Sequence, residues 1–128
     1  MSFLKNLSDS KEGGASAGWE TLDSEAVLEA AIAKSSEKPV FLFKHSTSCG
    51  ISLGAKTRLE GWKPDPEKVS LYYLDLLAHR PISNKIAEVL EVVHQSPQVI
   101  LLKDGKAIWS TTHHAISAEA VKGALEKY

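Results

Sequence analysis

The run Pro39-Val40-Phe41-Leu42-Phe43-Lys44 constrains the fold of this chain more than any other stretch. Its apolar residues are continuous rather than alternating and too few for an ordinary helix, which is the pattern of a strand covered on both faces. Such a strand needs helices above and below it, and the flanking sequence supplies them. Upstream, Trp19-Glu20-Thr21-Leu22 reads as a short edge strand. Asp23 or Ser24 can then cap a helix whose apolar positions Ala26, Val27, Ala30, Ala31 and Ala33 approximate one face and which should end near Ser35-Ser36. Downstream, Ile51, Ala55 and Leu59 recur every four residues, as in a helix packed on a sheet, with Gly61 as its terminator.

Pro64 and Pro66 punctuate a loop, after which Val69-Ser70-Leu71-Tyr72-Tyr73-Leu74-Asp75 reads as a second buried strand. Pro81 fits the first turn of another helix, with Ile82, Ile86, Val89, Leu90 and Val93 as its apolar stripe. Gln98-Val99-Ile100-Leu101-Leu102-Lys103 and Lys106-Ala107-Ile108-Trp109-Ser110-Thr111-Thr112, separated by Asp104-Gly105, form a hairpin. Ser117 can cap a last helix that turns Ala120, Val121, Ala124 and Leu125 inward. Helices between the first strands imply parallel crossovers, and the hairpin adds antiparallel edge strands. The expected fold class is α/β, a central mixed sheet of four to five strands flanked by helices on both faces.

A chain of 128 residues has room for one ordinary domain, placed here at residues 19–128. Residues 1–18 are polar, end in Gly13-Gly14-Ala15-Ser16-Ala17-Gly18 and have little to bury, so a flexible N-terminal arm is expected. A net charge of -1 gives no general attraction to phosphate backbones, which argues against nucleic acid as a partner. No apolar run approaches the roughly 20 residues that span a bilayer, so no membrane partner is expected. The start Met1-Ser2-Phe3-Leu4-Lys5-Asn6-Leu7 lacks the apolar core of a secretory signal, and one cysteine rules out an internal disulfide framework. A reducing cytoplasm is the expected location.

That cysteine, Cys49, falls where the apolar strand turns into the next helix. A helix start offers unpaired N–H groups and the positive end of the macrodipole, both of which favour thiolate over thiol. Ser52 stands where a Cys-x-x-Cys pair would have its second cysteine, so a disulfide must form with another molecule. Three residues on, the Ser52 hydroxyl can donate to the thiolate. The plainer reading makes Cys49 a small buried hydrophobe. Lys44 and His45 could add positive potential, but their simpler roles are a solvated strand end and a loop residue with a local hydrogen bond. His113-His114, read as adjacent strand residues, point to opposite faces and cannot readily share an ion. His45, His79 and His94 complete no zinc spacing with them, so no metal site is expected. Trp19, Trp62 and Trp109 read as packing residues, and Asp75 as a turn or capping group.

A strand ending at Lys44, a Cys-x-x-Ser at the next helix start and Ser96-Pro97 before the hairpin together resemble the thioredoxin fold. The strings Phe43-Lys44-His45-Ser46-Thr47-Ser48-Cys49-Gly50-Ile51-Ser52, Arg58-Leu59-Glu60 and His94-Gln95-Ser96-Pro97-Gln98-Val99-Ile100-Leu101-Leu102-Lys103-Asp104-Gly105 are similar to the monothiol bacilliredoxin family of the bacillithiol redox system. The resemblance spans about residues 19–128. It implies a cytoplasmic bacterial protein that removes bacillithiol, or a similar low-molecular-weight thiol, from mixed disulfides on client proteins. Cys49 would be the nucleophile, with Ser52 beside it. Pro97 would be a cis proline facing the thiol, and the Ser96 backbone would pair with the substrate, Ser48, Gly50 and Gln98 completing the substrate-binding set. No tightly bound cofactor is implied, and the small thiol would be a co-substrate. Gly50 departs from the family's usual Cys-Pro-Ile-Ser. It approaches the Cys-Gly-Phe-Ser of monothiol glutaredoxins that hold [2Fe–2S] clusters with glutathione, so cluster binding stands as one alternative and a non-catalytic interaction module as another.

Overall fold

The computed structural model describes residues 19–46, 50–60 and 62–128, and the side chains of Ile51, Ser52 and Glu60 are outside that description. The expected arm at residues 1–18, the expected helix stop at Gly61, and Ser48 and Cys49 of the expected site therefore lie outside the described residues.

In chain order the elements are β1 (Trp19–Thr21), α1 (Glu25–Lys34), β2 (Val40–His45), α2 (Gly50–Glu60), β3 (Ser70–Asp75), α3 (Arg80–Leu90), β4 (Gln98–Lys103), β5 (Lys106–Thr112), a 3₁₀ turn (His113–Ala115) and α4 (Ala118–Lys127). The five strands form one sheet in the order β1-β3-β2-β4-β5. The pairs β1–β3 and β2–β3 are parallel, and β2–β4 and β4–β5 antiparallel. The fold is the expected α/β class, with β2 at the centre and all six of its residues buried. Contrary to expectation, only one strand of the hairpin is an edge. The apolar run Val99–Leu102 is buried throughout, as befits a strand with neighbours on both sides, and β5 takes the border instead.

The pleat sorts the core into two layers. Phe41 and Phe43 of β2, Leu71 and Tyr73 of β3, and Val99 and Leu101 of β4 face α2 and α4, meeting Ala55, Leu59, Val121 and Ala124. Val40, Leu42, Tyr72, Leu74, Ile100 and Leu102 face the opposite way onto Leu28 and Ala31 of α1 and Ile82, Ile86 and Leu90 of α3. Each fully buried Leu or Phe contributes about 1.5–3 kcal/mol, so the central strands hold most of the stabilising area. A bulge opposite Leu101 and Leu102 leaves Ile108 as the extra residue of β5. It lets Trp109 join one core layer and Ala107 the other, although both have the same parity in sequence.

The first and last helices start at side-chain caps. Ser24 Oγ accepts from the Val27 N–H and Ser117 Oγ from the Ala120 N–H, each satisfying one orphan donor of a first turn. The face of α1 differs from expectation: Leu28 and Ala31 are buried and Val27 and Ile32 partly so, whereas Ala26, Ala30 and Ala33 are exposed. Alanine favours helix without demanding burial, so the large side chains decide the orientation. In α3 the stripe is Ile82, Ile86 and Leu90 with Ser83 between them, while Val89 and Val93 are exposed. Glu91 takes a left-handed conformation (φ 57°) that ends the helix and swings Val93 outward. In the hairpin, Asp104 (φ 53°) and Gly105 (φ 78°) make the tight turn that Asp-Gly favours.

Candidate functional site

Strand directions gather several chain segments at one end of the sheet. Lys44 is paired with Gln98, His45 with Asp75, and Gln98 with Thr112. The end of β2, the end of β3, the Ser96-Pro97 segment before β4 and the 3₁₀ turn after β5 therefore lie side by side. Helix α2 follows β2, starting at Gly50, so Cys49 and Ser48 belong by sequence to the connection between β2 and α2. Of the other expected site residues, Gly50 is exposed, and a Cβ built on it meets nothing within 4 Å. Its backbone needs no positive φ, so neither conformation nor crowding dictates glycine there.

The Ser96–Pro97 peptide bond is cis, and Pro97 is buried. The segment is tied down along its length. Gln98 is 1% exposed, its amide nitrogen donating to Val93 O (3.1 Å) and its amide oxygen accepting from the Gln95 N–H (3.4 Å). Pro97 O accepts from the His113 N–H at 3.1 Å. Arg58 of α2 holds the 3₁₀ turn in place, Nε donating to Ile116 O (2.6 Å) and an Nη to His113 O (3.0 Å). Arg58, quoted above only as part of a similar string, thus connects the helix that begins beside Cys49 with the turn behind Pro97. His113 and His114 lie in that turn, beyond the end of β5, and not on a strand. Among the described residues no three or more His, Cys, Asp or Glu side chains gather as a metal ion would need.

Lys44 and His45 are where the sequence reading departs furthest from the structure. Both are fully buried, one on each face of the sheet. Lys44 follows Val40 and Leu42 onto the α3 face, and its Nζ donates to Ser83 O (3.3 Å) and lies 3.2 Å from His94 Nδ1. Ser83 Oγ approaches the same nitrogen at 3.4 Å. Burial pushes the Lys44 pKa down from 10.5 to about 8. Burial, then the Lys44 and Arg80 charges, lower that of His94. His45 follows Phe41 and Phe43 to the other face. Its ring lies 5.6 Å from that of Phe43 and 5.5 Å from that of Tyr73. Burial and then the Asp75 carboxylate hold the Tyr73 phenol protonated well above its ordinary range. Asp75 makes a turn, Oδ1 accepting from the Leu77 N–H (3.1 Å). Tyr73 Oη and Ser96 Oγ are buried with no hydrogen-bond partner among the described residues.

Ser83 and His94 were not singled out as partners of Lys44, although a signal existed. Once β2 is allowed to run one residue past Lys44, the two-residue period sends Lys44 to the helix-covered face where a cation must find acceptors. A further boundary is set by size: among the described residues no helix is long and apolar enough to cross a membrane.

Comparison with known proteins agrees with this architecture. The family model described as "Monothiol bacilliredoxin BrxC" matches residues 20–121. A solved structure titled "A putative oxidoreductase with a thioredoxin fold" is 30% identical, with a TM-score of 0.73 over 84% of this chain and 93% of its own. Thioredoxins from Malassezia sympodialis (16% identity, TM-score 0.68) and Nicotiana alata (14%, TM-score 0.70) each cover 91% of this chain and 96% of their own. At that identity the two thioredoxins show the shared fold alone.

Proposed function

The chain belongs to the monothiol bacilliredoxin family, a family of thiol-redox proteins with a thioredoxin-like fold, and from that premise we propose that it removes bacillithiol from client proteins through Cys49. The observation that carries this reading is the β2–β4 register: pairing Lys44 with Gln98 sets Ser96-Pro97 beside the end of the strand that leads to the only cysteine. A thiol-bearing chain lying along Ser96 can then meet its N–H and C=O in the manner of an added strand.

The reaction is a pair of exchanges. The Cys49 thiolate attacks the bacillithiol sulfur of a client mixed disulfide, and the client sulfur leaves as thiolate, taking up a proton from water. Cys49 is now joined to bacillithiol. A second low-molecular-weight thiolate attacks the bacillithiol sulfur, freeing Cys49 and leaving a disulfide between the two small thiols. Electrons balance in both steps, because each breaks one S–S bond and makes another. With Ser52 in place of a resolving cysteine, the second thiol must come from solution. The start of α2 favours the thiolate, the form that attacks a disulfide, over the thiol. In this reading Ser52 donates to the thiolate and Ser48 and Gly50 line the surface against which the small thiol and the client chain rest, while Gln98, buried and bonded to Val93 O and the Gln95 N–H, supports the Ser96-Pro97 segment from behind rather than touching the substrate. Clients and small thiol are the partners, and a reducing cytoplasm is the setting in which such a thiol stays free.

The test is intact mass spectrometry of the reduced protein mixed one-to-one with a bacillithiolated client. One bacillithiol mass should appear on Cys49 as the client is freed, and Cys49→Ser should take up none. A client that stays modified while Cys49 stays free would overturn the reading. Thiol-dependent cluster absorption on anaerobic reconstitution, without disulfide transfer, would favour the cluster-holding alternative that Cys-Gly-Ile-Ser suggests.

A further inference from the structure

The one buried cation of β2 has a job that the exchange chemistry above leaves unassigned. Lys44 is 0% exposed, and its ammonium meets the Ser83 carbonyl oxygen and His94 Nδ1. An ammonium is a donor only, so the nitrogen it meets must carry a lone pair. That places the imidazole proton on Nε2 and keeps the ring neutral. The depressed pKa of His94, to which the Lys44 and Arg80 charges contribute after burial, is consistent with this. Ser83 Oγ lies 3.4 Å from the same nitrogen. His94 in turn begins the short segment that ends in the buried cis proline, and Gln98 closes that segment at Val93 and Gln95. The segment has no secondary structure of its own between the left-handed end of α3 and the start of β4, so side-chain bonds set its position.

We propose that Lys44 is a positioning residue of the exchange site: by fixing neutral His94 in its Nε2–H tautomer it holds the 93–97 segment so that the Ser96 backbone meets the thiol-bearing substrate. This role rests on the exchange reading above. Lys44 reaches neither substrate nor thiol in this role; it acts through His94. Loss of a hydrogen bond to a charged donor is expected to slow transfer about tenfold, equivalent to about 1.4 kcal/mol.

The experiment compares wild type, Lys44→Met, His94→Ala and His94→Asn in the full chain. Three quantities are read: the second-order rate of bacillithiol transfer from client to Cys49, the rate of Cys49 alkylation by iodoacetamide, which needs no docking on Ser96, and the imidazole ¹⁵N spectrum near neutral pH. Lys44→Met and His94→Ala should transfer about tenfold more slowly, with alkylation changed less than about twofold. His94→Asn, whose Oδ1 stands near the place of Nδ1, should stay within about twofold of wild type for transfer. The wild-type spectrum should show His94 Nδ1 unprotonated, and Lys44→Met should shift it. Wild-type transfer rates in Lys44→Met, equal slowing in His94→Asn and His94→Ala, or alkylation falling in step with transfer would each overturn the role. If Lys44→Met does not fold, the two His94 variants carry the test with Lys44 in place. Absence of transfer in the wild type would overturn the exchange reading itself and this role with it, whereas normal wild-type transfer with an unaffected variant overturns this role alone.

Discussion

Raising the pH from about 7 to about 10 should stabilise the wild-type fold relative to Lys44→Met by about 2–3 kcal/mol. The Lys44 side chain is fully buried, and desolvation lowers its pKa from 10.5 to about 8. Between those values the unfolded chain holds a proton that the folded chain has released. Stability therefore rises with pH across this window and falls as the pH drops towards 8, where folding must carry the charge into the sheet. With one pKa unit equivalent to about 1.36 kcal/mol, the penalty is about 3 kcal/mol near pH 7 and about 1 kcal/mol or less near pH 10. Methionine keeps much of the stem volume without the charge. Subtracting its curve removes the titrations that both proteins share, such as that of Tyr73, whose raised pKa opposes stability at high pH. Urea denaturation followed by tryptophan fluorescence, under reductant at both pH values, gives the two differences. A wild-type minus variant difference that moves by less than about 0.5 kcal/mol would refute the reasoning, because Lys44 would then be titrating like a solvated lysine.

Arg58→Met should cost about 1 kcal/mol in the same assay, since two charge-assisted bonds to His113 O and Ile116 O are lost at a partly exposed place. Faster hydrogen exchange at the His113 amide, which donates to Pro97 O, would confirm that the 3₁₀ turn has loosened. Leu42→Ala should cost about 2–5 kcal/mol, because Leu42 is fully buried in the central strand. Val93→Ala, at a side chain 78% exposed, should stay within about 0.5 kcal/mol by thermal denaturation.

What was legible in the sequence divides along physical lines. Strands declared themselves through unbroken apolar runs, and the hairpin through Asp104-Gly105, because these signals are local and have one structural meaning. Caps at Ser24 and Ser117 were legible for the same reason. Errors arose where a residue's role depends on a distant neighbour. The exposed side of α1 was misread because Ala26, Ala30 and Ala33 were weighted like core residues, and Val93 was misread because Glu91 ends α3 in a left-handed turn that no local pattern announces. Lys44 looked like a solvated strand end because its partners, Ser83 and His94, lie about 40 and 50 residues away. Of the site, the cis Ser96–Pro97 bond before β4 could be read from its motif. The braces that hold that segment could not, since each joins elements far apart in sequence.

Those braces also explain why polar side chains are buried at this end of an otherwise apolar sheet. Loops that carry function have backbone groups with no ladder to satisfy them, and each such group costs free energy if it is buried alone. Here the satisfying groups come from the neighbouring strands and helix: Arg58 donates to His113 O and Ile116 O from one face, Gln98 bonds Val93 O and the Gln95 N–H from the strand itself, and on the other face Lys44 meets the His94 side chain. Strand β2 therefore has two parts with different physical duties. Phe41, Leu42 and Phe43 are apolar on both faces and hold the layers together, while Lys44 and His45 are polar on both faces and meet the loops. A hydrophobic residue at 44 would relieve the desolvation that depresses the lysine pKa, but it would leave His94 without the donor that fixes its ring. The expense of burying that ammonium is thus tied to the order of the 93–97 segment, and stability and site geometry are set by the same side chain.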